Sequence, residues 1–176
     1  MAVLNILQVG HPTLRERAEE ISPEELASDE WQVFIDNLVE TMRAANGAGL
    51  AANQVGTLRR ICAVEVRAQN PRYPEKEPIP LTILVNPVIT LVDESTMSSY
   101  EGCLSVPNLR GRVTRNAHIE ITYLDREGTA HKRIAQGIQA VTYQHECDHL
   151  DGRLFLDRVT DSTSLTTWEN FSAFHR

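Results

Sequence analysis

The sequence has 176 residues, a length that gives one compact domain a substantial core but is short for two. Hydrophobic residues make up 41% and charged residues 23%, which is an ordinary composition for a soluble globular protein. The formal net charge of -7 argues against a general nucleic-acid surface, and DNA is therefore not expected as a partner.

The N-terminus and the cysteines indicate where such a protein works. The first residues lack the basic region and apolar core of a signal peptide, and no apolar run approaches the roughly 18 residues of a membrane span. Cys62, Cys103 and Cys147 form an odd, sparse set that fits a reducing compartment, where cysteines are more often core residues, ligands or nucleophiles than disulfide partners. We expect a single cytoplasmic domain over residues 1–176, without membrane attachment.

The first half of the chain predicts helices followed by a strand and a loop. Ser22 and Glu25 fit a capping box at the start of a short helix. Residues 29–45 carry apolar side chains at helical spacing and end at an Asn-Gly pair that tolerates left-handed backbone. A strand is predicted at residues 60–66. Residues 69–80 hold four of the eight prolines and predict an irregular surface loop.

The second half predicts strands, a second helix and an aromatic tail. Strands are expected at residues 81–92, 111–125 and 130–136, and a helix at residues 138–150. Trp168, Phe171 and Phe174 recur every three residues and predict a short amphipathic segment that docks on the body of the protein. This order predicts an α+β fold, with mainly antiparallel sheets packed around the second helix, an N-terminal helix and a short C-terminal segment.

The second predicted helix carries a His-Glu-x-x-His pattern, which is typical of metal sites. His145 and His149 share one helix face and can bind one divalent ion, and Glu146 between them is a natural general base. The alternative is a pair of exposed surface histidines. We favour the metal site because the same helical stripe continues into mostly apolar residues one to two turns earlier, namely Ile138, Val141 and Thr142.

A metal site of this kind needs a third protein ligand from elsewhere in the chain. Cys147 lies two residues from each histidine, so it points away from the metal and is expected in the core. Phe155 occupies the position where a metzincin would have its third histidine, which excludes that pattern. Glu169, 20 residues beyond His149, stays open as the ligand of a thermolysin-like peptidase.

Cys103 is the preferred third ligand. It lies in the segment YEGCLSVP, where Gly102 permits a close backbone approach, whereas Cys62 lies in an apolar strand and is expected in the core. A Cys-His-His set leaves a fourth position for a water, which the metal acidifies and Glu146 deprotonates. A closed structural zinc site remains the alternative outside the enzymes, although no motif supplies its fourth ligand.

Three motifs together carry a resemblance to a known family. GAGLAANQ at residues 47–54, EGCLS at 101–105 and QHECDH at 144–149 match every fixed position of the motifs of the peptide deformylases. These enzymes remove the N-formyl group from the initiator methionine of new bacterial polypeptides. Two variable positions are filled unusually: Ala48 replaces the more frequent Ile and leaves room in the pocket, and Asn53 replaces the more frequent Pro.

The resemblance implies a role for each motif residue. Cys103, His145 and His149 would bind the metal, with Fe2+ as the native ion and Zn2+, Ni2+ or Co2+ as substitutes. Glu146 would act as base and then as proton donor to the leaving amine, while the Gln54 amide and the Leu104 main-chain N–H would stabilise the oxyanion.

The resemblance also implies how peptides bind. N-formylmethionyl peptides would lie extended along the first motif, with the methionine side chain in an apolar slot beside the metal. The expected substrate-binding residues are Gly47, Ala48, Gly49, Glu101, Gly102, Arg110, Ile138, Val141 and Thr142. For Ser105, Gln144 and Asp148 the sequence leaves direct contact and support of the site equally open. Transient association with the ribosome near the nascent-chain exit is also expected.

Overall fold

The computed structural model describes residues 2–68 and 78–175. The helices are α1 (Pro23–Leu26), α2 (Asp29–Ala44), α3 (Gly137–Leu150) and α4 (Trp168–Phe174). The strands are β1 (Gly49–Ala51), β2 (Ile61–Val66), β3 (Ile79–Leu91), β4 (Thr96–Cys103), β5 (Val106–Asn116), β6 (His118–Leu124), β7 (Ala130–Gln136) and β8 (Thr166–Thr167). Short 3-10 turns cover Pro12–Arg15, Ala52–Val55, Phe155–Arg158 and Ser162–Ser164.

The strands form two antiparallel sheets. One sheet has five strands in the order β1-β2-β3-β6-β7, and the other has three strands in the order β4-β5-β8. Strands β1 and β4 each form an edge, so each has one side without a strand partner in its own sheet. This architecture confirms the expected α+β class with mainly antiparallel sheets.

The five-stranded sheet is covered by a different helix on each face. Alternate residues of β2 point to opposite faces. Cys62 and Val64 pack in the cluster that contains Tyr143 and Leu150 of α3. Ile61 and Ala63 pack in the other cluster, which contains the α2 residues Ile35, Leu38 and Met42. Because α3 also contacts β5, the helix that carries His-Glu-x-x-His lies in the interior, as predicted.

Several predicted elements are confirmed in detail. Helix α2 ends at Ala44, and Asn46 follows with a φ of 52°, the left-handed conformation expected of the Asn-Gly pair. The capping box of Ser22 and Glu25 forms reciprocally, with hydrogen bonds of 3.1 and 3.2 Å. Helix α3 and strand β7 occupy the predicted segments.

Other boundaries differ from the prediction. Pro80 was predicted in the loop of residues 69–80 but lies in β3, which begins at Ile79; residues 69–77 of that loop are outside the described part of the chain. The predicted strand of residues 111–125 is two strands, since Ala117 separates β5 from β6. The small-residue loop after α2 contains β1, which pairs with β2 through main-chain groups that a side-chain pattern does not reveal.

The aromatic tail forms α4 and docks through two of its three aromatic residues. Trp168 and Phe171 contact the body of the protein, as expected of a docking segment, whereas Phe174 is 78% exposed. Among the described residues, no helix combines the length and the apolar character needed to cross a membrane.

Candidate active site

Helix α3 and the end of β4 bring together three side chains that could bind a metal ion. His145 and His149 lie one helical turn apart on α3, and Cys103 is the last residue of β4. Their ligand atoms lie within 4.8 Å of one another, and the Cys103 Sγ is 3.2 Å from the His149 Nε2. Within the described part of the chain, this is the group of His, Cys, Asp or Glu that could hold an ion. One thiolate and two imidazoles suit a divalent transition metal.

The electrostatics favour the form of Cys103 that binds metal. Burial raises the pKa of this thiol, but the charge of His149 and hydrogen bonds with both histidines outweigh burial and hold the pKa well below its ordinary value. Burial lowers the pKa of His145, but hydrogen bonds with Cys103 and Glu101 raise it well above its ordinary value. The thiolate is the species that ligates a metal, whereas the raised pKa of His145 means that an ion must displace a proton from this imidazole when it binds.

A buried ionic chain supports His145. The Glu101 carboxylate lies 2.8 Å from the His145 Nδ1 and accepts hydrogen bonds from the Arg115 Nε at 2.6 Å and Nη2 at 2.9 Å. Arg115 also donates to Asp148 at 2.7 Å, and Arg158 donates to the other oxygen of Asp148 at 2.7 Å. Burial raises the pKa of Glu101, but His145 and Arg115 lower it to about 2. Carboxylates of this kind fix the orientation of a metal-binding imidazole.

The Gln54 side chain is held beside the metal ligands. Gln54 lies in the 3-10 turn after β1 and is 1% exposed. Its Oε1 accepts a hydrogen bond from the Ala51 N–H at 2.8 Å, which turns its Nε2 toward the Ser105 Oγ at 3.0 Å and the Cys103 Sγ at 3.4 Å. The amide can therefore donate a hydrogen bond next to the ion, with its rotamer fixed in advance.

Glu146 lies on α3 against the backbone of β1. It is 4% exposed and lines the pocket next to His145. A Cβ built on Gly49 would lie 2.2 Å from the Glu146 Oε1, so the close approach of this carboxylate requires glycine at that position. Gly49 thus admits the predicted general base to the pocket.

One narrow cavity of about 60 Å³ unites the predicted site residues. All nine expected substrate-binding residues line it, together with Gln54, Cys103, Leu104, His145 and Glu146. Glu101 is oriented so that its carboxylate binds His145 and Arg115. His149 is 1% exposed and lies behind the cavity wall. Ser99 and Tyr100 also line the cavity. The motifs do not predict either residue, because both precede EGCLS.

The other candidate ligands lie outside the group formed by Cys103, His145 and His149. Cys147 packs in the core cluster, and burial raises the pKa of its thiol to about 12. Cys62 is fully buried in the same cluster. Glu169 lies in α4 and does not join the ligand group formed by the described residues, and that group contains no fourth protein ligand, as a closed zinc site would require.

The three motif residues left open by the sequence support the site. Ser105 accepts a hydrogen bond from Gln54, and Asp148 binds Arg115 and Arg158. Gln144 donates to the Asn116 main-chain oxygen at 2.8 Å and joins α3 to β5. The roles of Arg158 and of the Asn53 side chain, which donates to the His149 main-chain oxygen, have no local sequence signal because both depend on tertiary contacts.

Comparisons with known proteins agree on one family. Residues 3–164 match the family described as polypeptide deformylase. A peptide deformylase of Leptospira biflexa is 41% identical over 159 residues, which cover 90% of this chain and 89% of that protein. Peptide deformylase 1 of Prochlorococcus marinus is 44% identical over 165 residues, covering 93% and 84% of the two chains.

Solved structures give the same result. The Met-Ala-Ser-bound class I type b peptide deformylase of Acinetobacter baumannii superposes with a TM-score of 0.86 at 36% identity, covering 90% of this chain and 99% of that chain. The peptide deformylase of Thermotoga maritima gives a TM-score of 0.79 at 30% identity, covering 92% and 100%. Both the sequence and the fold therefore match over most of the chain.

Proposed function

This chain belongs to the polypeptide deformylase family and is a hydrolase, and we propose that it removes the formyl group from the N-terminal formylmethionine of new polypeptides by metal-assisted hydrolysis. The observation that carries the proposal is the convergence of Cys103, His145 and His149 with Glu146 and Gln54 at one narrow cavity. The formyl group is the smallest acyl group, and a cavity of about 60 Å³ suits it.

The chemistry of the three ligands supports a divalent transition metal as cofactor. Held there, the ion supplies Lewis acidity, which makes water a nucleophile at neutral pH. A mixed thiolate and imidazole set accepts several ions, and we propose Fe2+ as the native one, with Zn2+, Ni2+ and Co2+ as substitutes. Glu101 orients His145, and Asp148 and Arg115 keep Glu101 in place.

Glu146 and Gln54 perform the proton transfer and the charge stabilisation. The Glu146 carboxylate takes a proton from the attacking water and returns it to the leaving amine. The Gln54 Nε2 and the main-chain N–H of Leu104 donate hydrogen bonds to the oxygen on which negative charge develops. Because Ala51 and Ser105 already fix the Gln54 amide, it needs no reorganisation when the charge appears.

Two sheet edges flank the cavity and suit an extended peptide. Residues 47–49, which lead into the edge strand β1, line one side, and residues 99–103 at the end of the edge strand β4 line the other. Unpaired main-chain groups at a strand edge bind an added strand by hydrogen bonds. Ile138, Val141 and Thr142 on α3 then receive the methionine side chain.

The substrate class also bears on partners and location. A protein that acts on new polypeptide N-termini works where they emerge, so we propose transient association with the ribosome near the nascent-chain exit, in the cytoplasm.

Formate release from formyl-Met-Ala-Ser tests the function. Protein loaded with Fe2+ under anaerobic conditions, and separately with Zn2+, should release formate and leave the tripeptide with a free amine. Cys103→Ala should lose both metal and activity, whereas Cys62→Ala, at a buried cysteine outside the site, should retain both. A Cys103→Ala protein that still bound metal would support the Glu169 peptidase instead. No formate with either ion would refute the proposal.

A further inference from the structure

The guanidinium of Arg110 is held by the aromatic rings of the C-terminal helix. Its Cζ lies 3.9 Å from the centre of the Trp168 ring and 4.8 Å from the centre of the Phe171 ring. Arg110 is 4% exposed and lines the catalytic cavity. A cation at this distance from two aromatic rings is attracted by their electrons, and more strongly when it is desolvated. Helix α4 therefore contacts Arg110 on the side of this residue that faces away from the cavity.

The segment before α4 is anchored beside the same residue. Strand β8 pairs with β5, with Thr166 opposite Arg110 and Thr167 opposite Leu109. The Trp168 N–H donates to the Asn108 Oδ1 at 3.2 Å. These main-chain contacts fix where Trp168 lies relative to the cavity.

A second cavity-lining residue also packs against α4. The Tyr100 ring contacts the Phe171 ring with a centroid distance of 5.2 Å, and Tyr100 precedes the EGCLS motif on β4. Trp168 and Phe171 thus back two parts of the cavity wall, Arg110 and Tyr100. Phe174, three residues beyond Phe171, is 78% exposed and takes no part.

Trp168 also lines a larger groove that continues from the catalytic cavity. The groove has a volume of about 540 Å³ and shares residues 102–104 and Arg110 with the cavity. The residues that it adds are mostly apolar, including Val106, Pro107, Leu109 and Trp168, and none of the described residues that line it is acidic. Because the groove begins where the metal ligand Cys103 ends β4, a peptide whose formyl end is at the metal can extend into it.

We propose that Trp168 is a specificity-determining residue: it forms the outer wall of the peptide-binding site, and the groove beside it receives an apolar or aromatic side chain from one of the two residues that follow methionine. This inference rests on the proposed deformylase function. The charge of Arg110 is covered by two rings, so the groove presents its apolar lining rather than a cation to the peptide.

Steady-state kinetics on a short peptide series tests the proposal. The substrates are formyl-Met-Ala-Ser, formyl-Met-Phe-Ser, formyl-Met-Ala-Phe, formyl-Met-Glu-Ser, formyl-Met-Ala-Glu and formyl-Met amide. The unaltered protein should favour one of the two phenylalanine peptides over formyl-Met-Ala-Ser at least fivefold in kcat/KM. Trp168→Ala should remove this preference mainly through KM, so that the phenylalanine peptides and formyl-Met-Ala-Ser become equivalent, and formyl-Met amide, which does not reach the groove, should lose less kcat/KM than the preferred phenylalanine peptide. Trp168→Phe should keep most of the preference, and Phe174→Ala should match the unaltered protein.

The other outcomes are distinguishable. If Trp168→Ala lost kcat/KM equally with every substrate, formyl-Met amide included, Trp168 would be a structural residue only and the proposal would be overturned. Trp168→Phe distinguishes this outcome from misfolding of the alanine variant. A preference for either glutamate peptide would overturn it in favour of recognition by the Arg110 charge.

A binding measurement keeps the test independent of turnover. In a Trp31→Phe background Trp168 is the remaining tryptophan, and the products Met-Ala-Ser, Met-Phe-Ser and Met-Ala-Phe can be titrated against its fluorescence. One phenylalanine product should bind at least fivefold more tightly than Met-Ala-Ser and change the emission. Absence of formate release with all substrates would refute the proposed function, whereas equal product affinities would refute the role of Trp168.

Discussion

The side-chain amide of Asn53 donates a hydrogen bond to the main-chain oxygen of His149, a proposed metal ligand. Asn53 lies in the 3-10 turn that presents Gln54, and its side chain is fully buried. The accepting oxygen lies in the last turn of α3, where carbonyls lack helical donors, and it also accepts from the Gly152 N–H at 3.0 Å. One amide therefore joins the turn of the proposed oxyanion donor to the end of the metal-binding helix.

Removing this amide should loosen the metal site. Asn53→Leu keeps the volume but deletes the donor, and the His149 oxygen keeps the Gly152 donor. We therefore expect a loss of about 0.5–1.5 kcal/mol in the free energy of unfolding and metal release that is several times faster. Release can be followed as transfer of the ion to a chromogenic chelator. Gln32→Leu is the matched control, because the Gln32 amide donates to two main-chain oxygens at 2.9 Å away from the site. Equal release rates in the two variants would contradict the role of Asn53.

Glu101 should contribute more to metal affinity than an equivalent ion pair elsewhere. Arg115 binds Glu101 through two nitrogens, as Arg43 binds Glu65 at 2.7 and 2.8 Å, but Glu101 also holds the His145 Nδ1. Glu101→Gln should weaken metal binding about 10- to 100-fold, measured by competition with a chelator. Glu65→Gln should leave the affinity unchanged, and a similar loss in both variants would make the effect general destabilisation.

The Glu101 carboxylate should also make the stability of the metal-free protein sensitive to acid. His145 and Arg115, acting against burial, lower the Glu101 pKa from 4.5 to about 2. Since the pKa is lower in the folded state, the stabilisation is complete above pH 4.5 and is lost as the pH falls toward 2. The free energy of unfolding, measured by urea titration across this range, should fall less steeply in Glu101→Gln than in Gln32→Leu. If the free energy of unfolding fell equally steeply with pH in both variants, the Glu101 pKa would not be lowered by folding.

The sequence predicts those parts of the site that depend on residue spacing within a single element. The spacing of His145, Glu146 and His149 predicts one helix face, and the geometry of the helix excludes Cys147 from that face. Cys103 is the preferred third ligand among the cysteines, with Glu169 left open by the sequence alone. All three ligands lie within 4.8 Å in the structure because the fold places the end of β4 beside α3.

The parts that sequence could not predict depend on contacts between distant segments. Strand β1 is held by main-chain pairing of Gly49 with Val64, and glycine and alanine carry no strand pattern of their own. The Arg115–Asp148 bond and the stacking of Trp168 on Arg110 join residues more than 30 positions apart. The periodicity of a single element cannot predict contacts between residues of different elements, so these two contacts are seen only in the folded chain.

Gly49→Ala should abolish turnover while leaving the metal in place. Neither Gly49 nor Gly47 has a positive φ, so alanine is allowed by the backbone at both positions. At Gly49 the new Cβ would lie 2.2, 2.4 and 2.7 Å from the Glu146 Oε1, Cδ and Cγ, and the carboxylate, which is 4% exposed, must move. Displacing a general base should lower kcat on the order of 100-fold or more.

Gly47→Ala provides the comparison for this prediction. There the Cβ would meet the Leu104 Cδ1 at 2.9 Å, the end of a flexible side chain, so we expect at most a severalfold fall in kcat. Metal stoichiometry measured on both proteins should equal that of the unaltered chain, because the three atoms nearest to either Cβ do not belong to Cys103, His145 or His149. Glu146→Gln should reproduce the kinetic defect of Gly49→Ala with its metal retained. A Gly49→Ala protein with normal kcat would show that the observed position of Glu146 is not the one that matters for turnover.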